Sequence, residues 1–178
     1  MVDAEDDNSM NGNLSHAPRC WILNSNAGRG SCGIDIRRNC VQPGKCEVWP
    51  IKPYWKKVAK GDWRFIWAGG LDDEESGIYG LGQIKIDVFP AGTGAYPEYR
   101  HDYDGYRFEY KRSGWEAVVE YRYLGRPHIS RTEFGNDPDL KPHLIMRFFQ
   151  RTVYALDEAH KNALGRMVAQ RNVPWPPV

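Results

Sequence analysis

Residues 20–26 read Cys20-Trp21-Ile22-Leu23-Asn24-Ser25-Asn26. Four mostly apolar residues run straight into three small polar ones. Trp, Ile and Leu fill a pleated inner surface well, so the first part is expected to be a buried strand. Asn and Ser bond to nearby backbone and tolerate unusual dihedrals, so the chain is expected to turn at the second part. A core strand that ends in Asn-Ser-Asn holds several amide and hydroxyl groups at a fixed place. Such groups suit a planar, polar ligand such as a nucleobase, because an amide offers a donor and an acceptor together. In an arbitrary protein the commoner meaning of Asn-Ser-Asn is an ordinary turn.

At 178 residues the chain is long enough for one domain with a real core. Aromatics make up 13% of it, with 7 Trp and 10 Tyr, a supply that serves cores and stacking surfaces alike. Asp3, Glu5, Asp6 and Asp7 fall in residues 1–17, which hold no Lys or Arg; setting these four acids aside turns a net charge of +1 into +5 for the remainder. An acidic, apolar-poor tail over 1–17, expected to be disordered, thus precedes a mildly basic domain over 18–172, a charge that suits nucleic acid. Residues 173–178, with Pro174-Trp175-Pro176-Pro177, read as a Pro-rich end or linker. No apolar run is long enough to span a membrane and no signal-peptide pattern opens the chain, so a cytoplasmic location is expected. Cys20, Cys32, Cys40 and Cys46 contain no Cys-x-x-Cys and no matching His pair. That argues for reduced thiols and against a zinc site; no metal and no cofactor is expected.

Beyond Asn26, Ala27–Gly33 is a glycine-rich loop without the Gly-Lys-Ser/Thr of a phosphate loop. Residues 34–48 look irregular, with a turn at Pro43-Gly44. Residues 53–58 suit a short helix with Pro at its first turn. Trp63–Trp67, Ser76–Phe89, Tyr106–Lys111 and Val118–Leu124 have strand character. A short helix is expected near 137–145 and an extended segment over 148–154. Asp157 then caps a helix to about Gln170, with Leu156, Ala159, Leu164 and Met167 on its inner face. Several strands with few helices argue for an α+β, mainly antiparallel barrel with helices at its edges.

The order of these segments resembles the EVE domain of the PUA-like superfamily, which is related to the YTH and SRA-type readers of modified bases. The resemblance is carried by Trp21–Asn26, Trp49, Lys60–Trp67, Ser76–Gly82 and Phe149–Leu156, which together span most of 19–165. It implies a PUA-like barrel that flips a modified base, 5-methylcytosine or a related cytosine in double-stranded DNA, into an aromatic cage. It also implies the specificity domain of a modification-dependent restriction system, with a fused or separate nuclease as partner. The alternative is an RNA-binding protein of YTH type that reads methylated adenine or structured RNA. One cage wall falls on Trp49 and the second on or near Trp115, with Tyr103 and Tyr106 as rivals. Asn24, Ser25 and Asn26 match the polar edge, and Trp67 is a further base-binding candidate, although its place in a strand suits the core. Arg29, Arg37, Arg38, Lys52, Lys56 and Lys57 are the candidates for the nucleic-acid backbone.

No catalytic residue is expected. Gly77-Ile78-Tyr79 is half of a GIY-YIG signature without its partner. Pro138-Asp139-Leu140-Lys141 offers one acid beside one Lys, where a metal nuclease needs separated carboxylates. The chain therefore reads as a binder and not as an enzyme.

Overall fold

In the computed structural model Cys20–Asn26 forms the first strand, β1. The structure describes residues 19–26, 43–52, 54–69, 72–100, 114–147 and 153–173, without the side chains of Asn26 and residues 123–127. Five further strands follow: β2 (Cys46–Pro50), β3 (Trp63–Gly69), β4 (Gly77–Pro90), β5 (Trp115–Ser130) and β6 (Val153–Ala155). Two α-helices, α1 (Arg131–Asn136) and α2 (Glu158–Ala169), and three short 3-10 turns complete the described residues.

The strands lie in the order β2-β5-β4-β3-β1-β6. β1 runs parallel to β3 and antiparallel to β6; the other described pairings are antiparallel. A strand covered on both faces needs apolar side chains at consecutive positions, which is why Trp21, Ile22 and Leu23 show no polar alternation. Trp21 and Leu23 join one cluster, Cys20 and Ile22 the other. The first cluster includes Trp49 of β2 and Val153 of β6, the two ends of the ladder. One cluster can hold both only if the sheet is rolled around it, so this is the interior of a barrel. Bulges along β4 and β5 supply bends that let the long strands curl. The second cluster lies on the outer face, where Phe134 of α1 and Ala163, Leu164 and Val168 of α2 cover β1, β3 and β4. The α+β, mainly antiparallel architecture expected from the sequence is the observed one.

Several elements differ from expectation. β2 occupies a stretch that reads as irregular, and β5 begins before Val118 and continues past Leu124 to Ser130. Residues 137–145 form turns leading into a 3-10 turn at Leu144–Met146, not an α-helix. The helix in that region is α1, opened by a capping box in which Ser130 accepts from the Glu133 N–H and Glu133 accepts from Ser130. Asp157 caps α2 as expected, but Ala159 is exposed; Ala163 takes the inner position. The strand expected at 106–111, the tail over 1–17 and the Pro-rich residues 174–178 lie outside the described residues.

His143 ties the outer layer to the sheet and carries a pH dependence. Its Nδ1 accepts from the Ile145 N–H at 3.2 Å, which leaves Nε2 as the donor to the Ala155 carbonyl at 3.0 Å. Burial pushes its pKa below 6.5, the Ala155 carbonyl opposes this, His160 adds to it and Asp157 opposes it. A proton on Nδ1 would also displace the Ile145 bond. The unfolded chain binds that proton near 6.5 and the folded chain only at lower pH, so His143 costs nothing above 6.5. As pH falls below that value, stability drops by at most about 1.4 kcal/mol per pH unit for one proton. Urea unfolding between pH 7.5 and 5 is expected to show this decline, and His143→Gln is expected to flatten it. An unchanged slope in that variant would assign the decline to other groups.

Candidate nucleic-acid interface

The polar end of β1 is held in register by β3, with Asn24 opposite Trp67, Ser25 opposite Ala68 and Asn26 opposite Gly69. Strand alternation turns Asn24 and Trp67 to the outer face, while Ala68 joins the interior cluster. Asn24 and Ser25 are buried, so Asn-Ser-Asn continues the strand and is not the turn expected there. Trp67 is fully buried and packs edge-on against Phe134, at 5.3 Å and 88°. Its indole N–H has no hydrogen-bond acceptor among the described residues. A buried indole N–H almost always finds a partner, and leaving one without costs about 1–3 kcal/mol.

Gly69 lies directly beside it, where a side chain would be crowded. A Cβ at Gly69 would sit 3.0 Å from Asn24 Oδ1 and 3.5 Å from Trp67 Nε1. An amide oxygen and an indole N–H therefore converge on bare backbone. One strand further on, Gly77 (φ +151°) pairs with Ala68, and a Cβ there would overlap the Ile129 carbonyl oxygen. That close approach needs glycine, and it lets β5 seal against β4 next to the polar end.

The other expected base-binding residues lie elsewhere. Trp49 is 2% exposed, inside the barrel. Its indole N–H donates to Tyr121 Oη at 2.7 Å, and Tyr121 Oη donates to Glu47 Oε2 at 2.6 Å. Trp115 is half-buried and stacks on Trp55, with ring centres 3.9 Å apart and planes 11° from parallel. The structure thus brings Asn24, Ser25 and Trp67 together and pairs Trp115 with a residue that sequence reasoning left unassigned. Lys52, Lys56 and Lys57 are exposed on the segment after β2. Tyr103, Tyr106, Arg29, Arg37 and Arg38 lie outside the described residues.

At the start of the same two strands sits a buried charged group that the sequence reading did not single out. Asp62 Oδ1 accepts from the Arg19 N–H at 2.9 Å; Oδ2 accepts from Trp21 Nε1 at 2.8 Å and the Ala59 N–H at 3.1 Å. Arg64 Nη2 stands 3.8 Å from Asp62 Oδ2, and the guanidinium lies 5.1 Å from the Trp21 ring centre. Burial pulls the Arg64 pKa down to about 9, while Asp62 and Cys20 oppose this, so it keeps its charge near neutrality. Cys20 is pushed up to about 12 by burial, which makes it an inert thiol. Among the described residues no group of His, Cys, Asp and Glu could hold a metal ion.

No protein-family model and no curated protein sequence matches this chain. Solved structures do. Human THYN1, in a complex with DNA containing 5-methylcytosine, is 16% identical, has a TM-score of 0.60, and aligns over 84% of this chain and 96% of its own. This chain shares the fold of that protein. A hypothetical protein from Leishmania major is 15% identical at a TM-score of 0.60, over 88% and 98% of the two chains. A protein from Agrobacterium tumefaciens is 14% identical at 0.61, over 89% and 97%.

Proposed function

We propose that this chain binds nucleic acid and takes one modified base out of the duplex, 5-methylcytosine or a related modified cytosine in DNA. The observation that carries this reading is the buried Trp67 N–H, without an acceptor among the described residues, beside the Asn24 amide oxygen at Gly69. Cytosine offers an N4 amino donor and O2 and N3 acceptors, the complement of an amide oxygen beside an indole N–H. The shared fold with THYN1, solved with methylated DNA, supports the choice of ligand. Tyr103 is the aromatic face retained from the sequence, and Trp49 supports the pocket from within the barrel. Lys52, Lys56 and Lys57 take phosphates and make affinity salt-dependent. The chain then serves as the specificity domain of a modification-dependent restriction system, with the cutting done by a fused or separate nuclease.

Extracting a base costs a few kcal/mol, and stacking returns about 1–3 kcal/mol per face. One methyl group in an apolar pocket adds about 1–3 kcal/mol, so the preference for methylated DNA is graded. Trp67→Phe keeps the ring and removes the N–H. Because that N–H has no acceptor among the described residues, the stability change is expected to come from the smaller ring alone, about 1–2 kcal/mol. Affinity for a methylated duplex is expected to fall about tenfold, the worth of one buried hydrogen bond. Unchanged affinity in Trp67→Phe would remove Trp67 from the site.

A further inference from the structure

We infer that the stacked Trp55–Trp115 pair is a second nucleic-acid contact, a platform for an unpaired nucleotide outside the base pocket. The inference rests on the reading of the chain as a nucleic-acid binder. Two half-buried indoles lie face to face at 3.9 Å, one from the 3-10 turn at Trp55–Lys57 and one from the first residue of β5. The Ile51 N–H donates to the Trp115 carbonyl at 2.8 Å, which fixes the segment carrying Trp55 against the start of β5. The stack is therefore positioned by backbone and is not a chance meeting of side chains.

A cation lies over one of the rings. Lys56 Nζ lies 5.3 Å from the Trp55 ring centre. Lys52 runs across Gly114, next to Trp115, so closely that a Cβ at Gly114 would overlap its Cε. Glu116, next to Trp115 in sequence, is buried and paired with Arg100 at 2.7 Å. A stacked indole pair with a lysine over its Trp55 ring supplies the groups that a single strand needs, a flat face for a base and a cation for the adjoining phosphate. An ammonium over an exposed indole is a weak contact, and a stacked base is held more tightly on the same face. Lys56 can therefore yield the Trp55 face to a base and move to its phosphate. A duplex opened at the pocket would present such an unpaired nucleotide.

The test uses an eight-residue oligodeoxythymidine, with tryptophan fluorescence and anisotropy read against salt for the intact chain, Trp55→Leu and Lys56→Gln. Affinities for methylated and plain duplexes are measured alongside. The intact chain is expected to bind the oligonucleotide with fluorescence quenching. Trp55→Leu is expected to weaken this about tenfold, and Lys56→Gln about threefold with a shallower salt slope. In Trp55→Leu the methylated-to-plain duplex ratio is expected to stay at the intact value. No quenching by the oligonucleotide, or equal affinity in the intact chain and Lys56→Gln, overturns the platform whether or not Trp55→Leu folds. Loss of oligonucleotide binding in Trp55→Leu from a chain that shows no preference for methylated duplex overturns the proposed pocket and keeps the platform.

Discussion

Asp62→Ala is expected to lower the unfolding free energy by about 3–5 kcal/mol, the usual cost of stranding one partner of a buried ion pair. The substitution leaves Arg64 without a counter-ion at 0% exposure. It also takes the acceptor from the Trp21 indole and from two backbone N–H groups, those of Arg19 and Ala59. For a chain of this size that is a fall in Tm of roughly 6–20 °C. Arg64→Leu is expected to cost less, because Asp62 keeps its three N–H donors and the leucine stays apolar inside the barrel. The double variant is expected to be more stable than Asp62→Ala alone. A loss below about 1 kcal/mol in Asp62→Ala, from urea or thermal unfolding, would contradict this account of the network.

Trp49→Ala has the second large effect. A buried Trp cut to Ala costs about 3–5 kcal/mol through lost contacts and the cavity left behind. Here the indole also donates to Tyr121, which in turn donates to Glu47, a carboxylate 1% exposed beside Lys45 at 3.3 Å. Trp49→Ala would thus weaken DNA binding simply by unfolding the barrel. Trp49→Phe separates the two roles. It keeps an aromatic ring, gives up the bond to Tyr121, and is expected to cost about 1–2 kcal/mol of stability. The preference for methylated duplex is expected to survive in Trp49→Phe and to fall in Trp67→Phe. Equal loss of binding in the two would contradict the assignment of Trp49 to the interior and of Trp67 to the base edge.

The parts of the fold that were legible are those whose signals are local. An unbroken apolar run marks β1, Trp and Phe mark β3, and Asp157 marks the start of α2. β2 was hidden because Pro43-Gly44 and Pro50 make its five residues look like loop, and its strand state comes from pairing with β5, about seventy residues away in sequence. β5 was cut short in expectation at Leu124; its pairing with β4 resumes at Ile129 and Ser130 beyond a register shift, a long-range effect with no local signal. The Ser130–Glu133 capping box of α1 was in plain view, but a six-residue helix with one buried residue, Phe134, has no periodicity to confirm it.

The candidate site was half legible. Asn24 and Ser25 stood out by composition, and Trp67 by its type. Gly69 carried no signal, because what crowds it is two side chains that only the β1–β3 register brings together. Trp115 was paired in expectation with Trp49 by resemblance. Its actual neighbour, Trp55, comes close through the return of the chain after β2, a contact that no local pattern encodes.

Binding of the intact chain to matched duplexes carrying cytosine, 5-methylcytosine, 5-hydroxymethylcytosine or methyladenine, measured across a salt series, tests the proposed function most directly. The expected result is a preference for a modified cytosine of about tenfold or more that persists as salt weakens all four affinities together. Equal binding of the four duplexes at every salt concentration, or a stronger hold on RNA carrying methylated adenine, would contradict it.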